Sequence, residues 1–99
     1  MFELKRISRD TLSGALAKAE RYRLLHEPEE AESICRDVLA VAPANQQAVV
    51  SLIVALTDQI GHDPQAFGKA LDTIECLQGP YERAYYAGIA WEQIGRAHV

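Results

Sequence analysis

Apolar residues recur three and four positions apart along almost the whole chain, and no stretch alternates with a period of two. This spacing predicts helices throughout, so we expect an all-α fold with about five helices. The first helix is predicted to begin after Ser8 or Asp10, either of which can cap it, and to end at His26-Glu27-Pro28. Its inward residues are predicted to be Leu12, Ala15, Leu16, Ala19, Tyr22 and Leu25.

Proline and short polar residues mark the next two helices. Pro28 suits the first turn of a second helix, because a backbone N–H has no partner there, and this helix is predicted to end at Ala42-Pro43. Asn45 is the predicted cap of a third helix, which ends at Ile60-Gly61. The inward residues predicted for these helices are Ala31, Ile34, Cys35, Val38 and Leu39, then Val49, Leu52, Ile53 and Leu56.

Asp, Gly and Pro residues also mark the ends of the last two helices. Asp63 is predicted to cap a fourth helix that begins at Pro64 and is closed by Gln78-Gly79-Pro80, and a fifth runs from about Tyr81 to Gly95. All connections are short, so consecutive helices are expected to be antiparallel neighbours. The predicted inward residues are Ala66, Phe67, Ala70, Leu71, Ile74 and Leu77, then Ala84, Tyr85, Ala87, Gly88, Trp91 and Ile94.

The helices repeat with a period of about 34 residues, which we test by shifting the sequence on itself. A shift of 34 carries Ala15, Ala19 and Tyr22 onto Val49, Ile53 and Leu56. A shift of 35 carries that set onto Ala84, Gly88 and Trp91, and carries Ala31 and Cys35 onto Ala66 and Ala70. Together with the segment from Ala31 to Pro43, this pattern resembles the tetratricopeptide repeat family.

The resemblance implies a short right-handed superhelix of antiparallel helical hairpins. It divides the chain into an N-terminal extension at residues 1–10, a first hairpin at 11–43, a second hairpin at 44–79 and the first helix of an incomplete third unit at 80–99. Repeat folds generally need three or more units, so we expect either a piece of a longer protein or another element that covers the open end. A helical-hairpin bundle outside this family is the alternative.

Members of this family bind a peptide or partner helix on an inner face, so the resemblance implies a protein-binding function. The corresponding positions in this chain are Leu16, Glu20, Arg23, Val50, Val54, Thr57, Tyr85, Ile89 and Glu92. Aliphatic residues stand where relatives that clamp a terminal carboxylate carry Lys, Asn or Arg, so we expect burial of apolar partner side chains instead. The alternative is homo-oligomerisation, in which a second copy packs on Tyr86, Ala90, Trp91 and Ile94.

Composition and charge limit the other function classes. The 99 residues are 48% hydrophobic and 24% charged, which is typical of one small globular domain, and the net charge of −4 disfavours nucleic acid and anionic membranes as partners. A basic stretch around Tyr22 is better explained as a solvated helix face beside an acidic second helix. The longest apolar stretch, Ala48 to Leu56, is too short for a membrane span, and no secretory signal is present, so we expect a cytoplasmic protein.

Residues with catalytic or metal-binding chemistry are scattered along the chain. His26, His62 and His98 fall at turns and the chain end, and Cys35 and Cys76 lack a Cys-x-x-Cys spacing. The segment from Gly61 to Ala70 does not fit a phosphate loop, because Ala70 replaces the required Ser or Thr. We therefore expect no catalytic residue, cofactor, metal ion or small-molecule substrate.

Overall fold

The computed structural model describes residues 9–97, which form five α-helices without a β-strand. The helices are α1 (Arg9–Leu24), α2 (Pro28–Val41), α3 (Gln46–Thr57), α4 (Ala66–Ile74) and α5 (Pro80–Ala97). The prediction of an all-α fold with five helices is therefore confirmed. Ser8 and His98, and the first eight positions of the predicted N-terminal extension, lie outside the described residues.

Each helix packs against the next one along the chain, and α1 and α5 also contact α3. α3 is therefore the central helix, and seven of its 12 residues are buried. The molecule measures 50 × 30 × 18 Å and its radius of gyration is 13.8 Å, slightly above the roughly 13 Å of a compact domain this long. The helices thus form an elongated stack rather than a sphere.

Two apolar clusters meet at α3. The first joins it to α1, α2 and one residue of α4, and contains Leu16, Ala19, Ala31, Cys35, Val38, Ala48, Leu52, Ala55, Leu56 and Ala70. The second joins it to α4 and α5 and contains Val49, Ile53, Ile74, Leu77 and Ala90. The inward residues predicted for α2 and α3 are all buried or half-buried, as expected. The many alanines let the helix axes approach closely.

α1 ends in a Schellman motif. The N–H of His26 donates to the carbonyl of Arg23 (3.0 Å), and the N–H of Glu27 donates to the carbonyl of Tyr22 (2.9 Å). These bonds satisfy carbonyls of the last turn and require a left-handed residue, which is His26 with φ 64°. Leu25 follows the last helical residue and is exposed, so the prediction that it packs inward is wrong.

The predicted starts of α2 and α3 are confirmed. Pro28 occupies the first turn of α2. The Asn45 side chain accepts a hydrogen bond from the Ala48 N–H (2.9 Å), which satisfies one of the free donors at the start of α3. α3 ends at Thr57, before the predicted Ile60, and the chain turns while Ile60 remains buried.

α4 is shorter than predicted at both ends. Its first residue is Ala66 and not Pro64, because the Asp63 carboxylate accepts from the Gln65 N–H (2.9 Å) and closes a turn ahead of the helix. After α4 ends, Leu77 is buried in the connecting turn, and its carbonyl accepts a hydrogen bond from the Arg83 guanidinium (2.7 Å). Leu77 is therefore a core residue, as predicted, but not a helical one.

α5 turns a different face inward from the one predicted. Ala90 is fully buried, with Tyr86 and Ala87 packed beside it in the second cluster. A shift of 34 residues relates Leu56 to Ala90 and Ile53 to Ala87, and it agrees with the observed burial. The shift of 35 that we used for this helix is therefore wrong.

The outward face of α5 contains four of the six residues predicted to point inward: Ala84, Tyr85, Gly88 and Trp91 are exposed, whereas Ala87 and Ile94 are half-buried. Of the residues predicted for self-association, Trp91 offers surface, Tyr86 and Ile94 are half-buried, and Ala90 is not accessible. The exposed surface of this helix is thus rotated away from the one expected.

Candidate functional site

α1 and α5 both contact α3, so these three helices are neighbours. Val50, Val54 and Asp58 are spaced four apart along α3 and the residue after it, so they follow one face of this helix. We call this surface the α1–α3–α5 face, and its exposed and half-buried side chains are Glu20, Arg23, Val50, Val54, Asp58, Tyr86 and Ile89.

A three-residue ion-pair cluster joins α1 to the end of α3. Arg23 donates to both carboxylate oxygens of Glu20 (3.1 and 2.9 Å) and to Asp58 (3.3 Å). The hydrogen bond from Arg23 lowers the pKa of Glu20 below its ordinary value, so this carboxylate is ionised at neutral pH. Arg23 and Asp58 lie 35 residues apart in the sequence, which is close to the repeat period.

Val50 and Val54 lie one turn apart on α3 and are both half-buried. Val50 packs against the second cluster, which Tyr86 also contacts. Two other residues predicted for this surface are buried instead: Leu16 is 3% exposed and belongs to the first cluster, and the Thr57 hydroxyl donates to the Ile53 carbonyl (2.8 Å). Leu16 and Thr57 therefore offer no surface to a partner.

Aromatic side chains cover the outward side of α5. Tyr81 is 76% exposed, Tyr85 53% and Trp91 59%. The rings of Tyr81 and Tyr85 stack with centroids 6.5 Å apart, and Tyr85 meets Tyr86 edge-on at 5.0 Å. Trp91 contacts Phe67 of α4 edge-on at 4.8 Å. Large exposed aromatics that support one another in this way are typical of binding surfaces.

A cleft of about 420 Å³ lies at the end of the molecule where α1 stops. Arg23, His26, Asp58 and His62 are among its lining residues. Beside it, His62 Nε2 lies 2.9 Å from a carboxylate oxygen of Glu29, and this hydrogen bond lowers the pKa of Glu29. The His62–Glu29 contact is absent from the sequence-based expectations, because the two residues are 33 positions apart and no local pattern marks them.

Gln59 is a buried polar residue that no sequence pattern marked either. Its amide donates to the Glu32 carboxylate (2.9 Å) and to the Ala55 carbonyl (3.1 Å), and Arg36 pairs with the same carboxylate (2.7 Å). This network ties α2 to the turn after α3. In the described part of the chain, no buried side-chain nitrogen or oxygen is without a partner.

Both cysteines are free thiols. Cys35 is buried in the first cluster, and this burial raises its pKa to about 11, so it is protonated at neutral pH and a poor nucleophile or metal ligand. Cys76 is exposed in the turn after α4. Within residues 9–97 we find no cluster of His, Cys, Asp or Glu arranged to hold a metal ion, and none of the helices there has the length and apolarity to cross a membrane.

The fold and its surfaces define a small five-helix protein with an ion-pair cluster, half-buried valines and exposed aromatics on neighbouring helices. A scan against protein-family models, a search of curated proteins and a search of solved structures find no match to this chain. The surfaces are therefore the basis for inferring its function.

Proposed function

We propose that this protein is a non-catalytic protein-binding module of the tetratricopeptide repeat type, and that it binds a peptide or helix of a partner on the α1–α3–α5 face. The observation that carries the proposal is the adjacency of three helices that recur about 34 residues apart in the sequence. α3 lies between the other two and leaves Val50 and Val54 partly open to solvent. This is the arrangement in which repeat proteins form an extended binding surface.

The surface fits a partner that buries a few apolar side chains. Val50 and Val54 are one turn apart, so they suit a partner helix whose apolar residues recur at three and four positions. Tyr86 and Ile89, both half-buried, extend the apolar area along α5. The Glu20–Arg23–Asp58 cluster lies at the polar end, where charged groups set the register and the association rate more than the affinity.

The free thiols of Cys35 and Cys76 are in keeping with a reducing compartment, so the proposed location is the cytoplasm. Protonated, buried Cys35 supports a structural role for that residue. The function in this proposal needs no cofactor and no metal ion, since binding comes from burial of apolar surface.

A peptide-display selection tests the binding surface with random sequences in place of the partner. A library of 16-residue peptides is selected on the immobilised full chain, and the affinities of the enriched peptides are measured by fluorescence anisotropy. We expect enriched peptides to carry apolar residues at helical spacing. Val54→Asp should weaken their binding at least about tenfold, because a carboxylate would be desolvated in the interface.

Two further variants control for folding and for position. Val54→Thr keeps the shape of the half-buried side chain and should weaken binding less than the aspartate. Ala40→Asp places the same charge on an exposed position of α2, away from this face, and should leave binding unchanged. If the enriched peptides bind the wild type and Val54→Asp equally, while circular dichroism shows both folded, the proposed surface is wrong.

A further inference from the structure

The exposed face of α5 is a second surface, distinct from the α1–α3–α5 face. With 100° between successive residues, seven positions fall within about 120° of arc centred on Gly88, on the side of the helix away from buried Ala90. These positions are Tyr81, Ala84, Tyr85, Gly88, Trp91, Glu92 and Gly95. All seven are exposed, and Phe67 of α4 meets this face only at its edge, beside Trp91.

The side chains of this face form two groups, one on each side of Gly88. Seen from Gly88, Trp91 and Ala84 lie to one side, whereas Tyr81 and Tyr85 lie to the other. Glu92 and Arg96, which form an exposed ion pair at 3.0 Å, share the tyrosine side. A Cβ added at Gly88 would meet no atom within 4 Å, so the middle of the face is open to solvent.

We propose that a second copy of this chain packs on this face, with the two α5 helices antiparallel and the two-fold axis passing near Gly88. In an antiparallel two-fold pair the same side of each helix faces its counterpart. At a rise of 1.5 Å per residue, Trp91 of one copy then falls within about 1.5 Å, along the axis, of Ala84 in the other. The indole fills the space that alanine and glycine leave.

The same symmetry matches the polar positions. Tyr85 lies opposite Glu92 of the second copy, where its hydroxyl donates to the carboxylate. Tyr81 lies opposite Arg96, and a guanidinium over a tyrosine ring is a favourable cation–π contact. The face is thus complementary to itself in size and in charge, which an isologous interface requires.

Other pairings of two copies lack this match. A parallel pair sets opposite sides of the helices against each other, so Trp91 would lie on the Glu92 carboxylate. A head-to-tail stack would place α5 in the groove of about 300 Å³ between α1 and α2, lined in part by Leu12 and Val41. Such a stack leaves one α5 face uncovered at its end, whereas the two-fold dimer covers both.

The buried area is that of a modest dimer. At about 200 Å² for a whole aromatic side chain, the exposed fractions of Tyr81, Tyr85 and Trp91 amount to roughly 380 Å² in each copy. The aliphatic atoms of Ala84, Glu92 and Arg96 add to this, and the pair stays below the roughly 1,200 Å² at which stable specific interfaces begin. The dimer is therefore expected to dissociate at micromolar concentrations, and a monomer–dimer equilibrium should be measurable.

Sedimentation velocity of the full chain over a wide concentration range tests the dimer. The wild type should pass from 11.0 kDa to twice that mass as concentration rises. Gly88→Lys should abolish the dimer within that range, a loss of at least about tenfold in affinity. Because lysine is the better helix former and meets no atom at this position, the monomer should unfold at a higher temperature than the wild type.

Gly14→Lys is the matched control, because Gly14 is also an exposed helical glycine with open space around it, on α1. This variant should dimerise like the wild type. A cysteine scan in the Cys76→Ser background locates the axis: Gly88→Cys should form a disulfide-linked dimer on oxidation, and Gly95→Cys should not. A wild type that stays monomeric, a ladder of larger species, or equal loss of the dimer in both lysine variants would overturn the proposal.

Discussion

His26 has a conformation that no other non-glycine residue between positions 9 and 97 adopts, with φ 64°. An L-residue pays about 1 kcal/mol or more in this region, whereas glycine enters it freely. We predict that His26→Gly stabilises the protein by about 0.5–1 kcal/mol, since part of the gain is offset by the greater freedom of glycine in the unfolded chain. Urea unfolding measures the difference.

The control for this substitution is Ala44→Gly, in the turn between α2 and α3, where φ is not positive. At this position glycine relieves no strain in the folded protein and only increases the freedom of the unfolded chain, so this variant should be no more stable than the wild type. A decrease in stability for His26→Gly would contradict the role of the Schellman motif at the end of α1.

The contribution of Glu20 to the stability of the folded protein is lost at acidic pH. Because Arg23 lowers its pKa in the folded protein, this carboxylate contributes stability that is fully present above its unfolded pKa of about 4.3 and is lost as pH falls through the folded pKa. We predict that Glu20→Gln is less stable than the wild type by under about 1 kcal/mol at pH 7, and that this difference narrows as the pH falls towards 3. Thermal unfolding at both values measures this.

The exposed Glu75 provides the comparison, since it lies in the turn after α4, away from Arg23. Glu75→Gln removes one exposed carboxylate without breaking a contact with Arg23, so it controls for the lost negative charge alone. If the Glu20→Gln difference is the same at pH 7 and pH 3, the carboxylate charge is not what Arg23 recognises.

Single residues show how far local patterns predict a structure. Asn45 and Pro28 were predicted because a cap and a first-turn proline act within three or four positions of themselves. Gln59 and the His62–Glu29 contact were not, since their partners are fixed only when α2 packs beside the turn after α3. Polar contacts between distant segments follow from packing, and a sequence pattern carries no direct sign of them.

At the scale of the helix, α3 and α5 differ in how much of their surface is buried. Ile53 of α3 is buried against the neighbouring helices, whereas Trp91 of α5 keeps more than half of its surface in solvent. We predict that Ile53→Ala costs about 2–5 kcal/mol and Trp91→Ala about 1 kcal/mol, measured by urea unfolding at concentrations where the chain is monomeric. If the two variants lose the same amount of stability, Trp91 belongs to the core, as the shift of 35 residues implied.

The helical faces were harder to predict than the helices. In α5 the set Ala84, Gly88 and Trp91 and the set Tyr86, Ala87 and Ala90 both follow helical spacing, so periodicity alone does not select one. Packing on α3 and α4 selects the second set. At α4 the Asp63-Pro64 pair has the composition of a helix start, yet the aspartate closes a preceding turn instead.

At the scale of the whole molecule, the two proposed surfaces involve different sides of the stack. Val54 lies on α3, and Gly88 faces away from the side of α5 that packs on the core. We predict that they act independently: Val54→Asp should leave the monomer–dimer equilibrium unchanged, and Gly88→Lys should leave the affinity for selected peptides unchanged. Sedimentation and anisotropy measure the two cross-effects, and effects on distant sites normally add.

If either variant changes the affinity measured at the other surface by more than about threefold, the two surfaces share residues. Tyr85 is the residue to examine in that case, because it stacks on Tyr81 of the outward face and also meets Tyr86 on the side of α3. Tyr85→Ala would then reduce dimerisation and peptide binding together.

The packing of each helix against the next one along the chain has a consequence for biosynthesis. Contacts between sequence neighbours need little loop closure, so they form early and quickly. α1 and α2 contribute five of the ten buried residues of the first apolar cluster, and α3 adds four more before α4 and α5 have left the ribosome. Ala70 of α4 then completes the cluster. The protein can therefore fold in the order in which it is synthesised, from its first helix to its last.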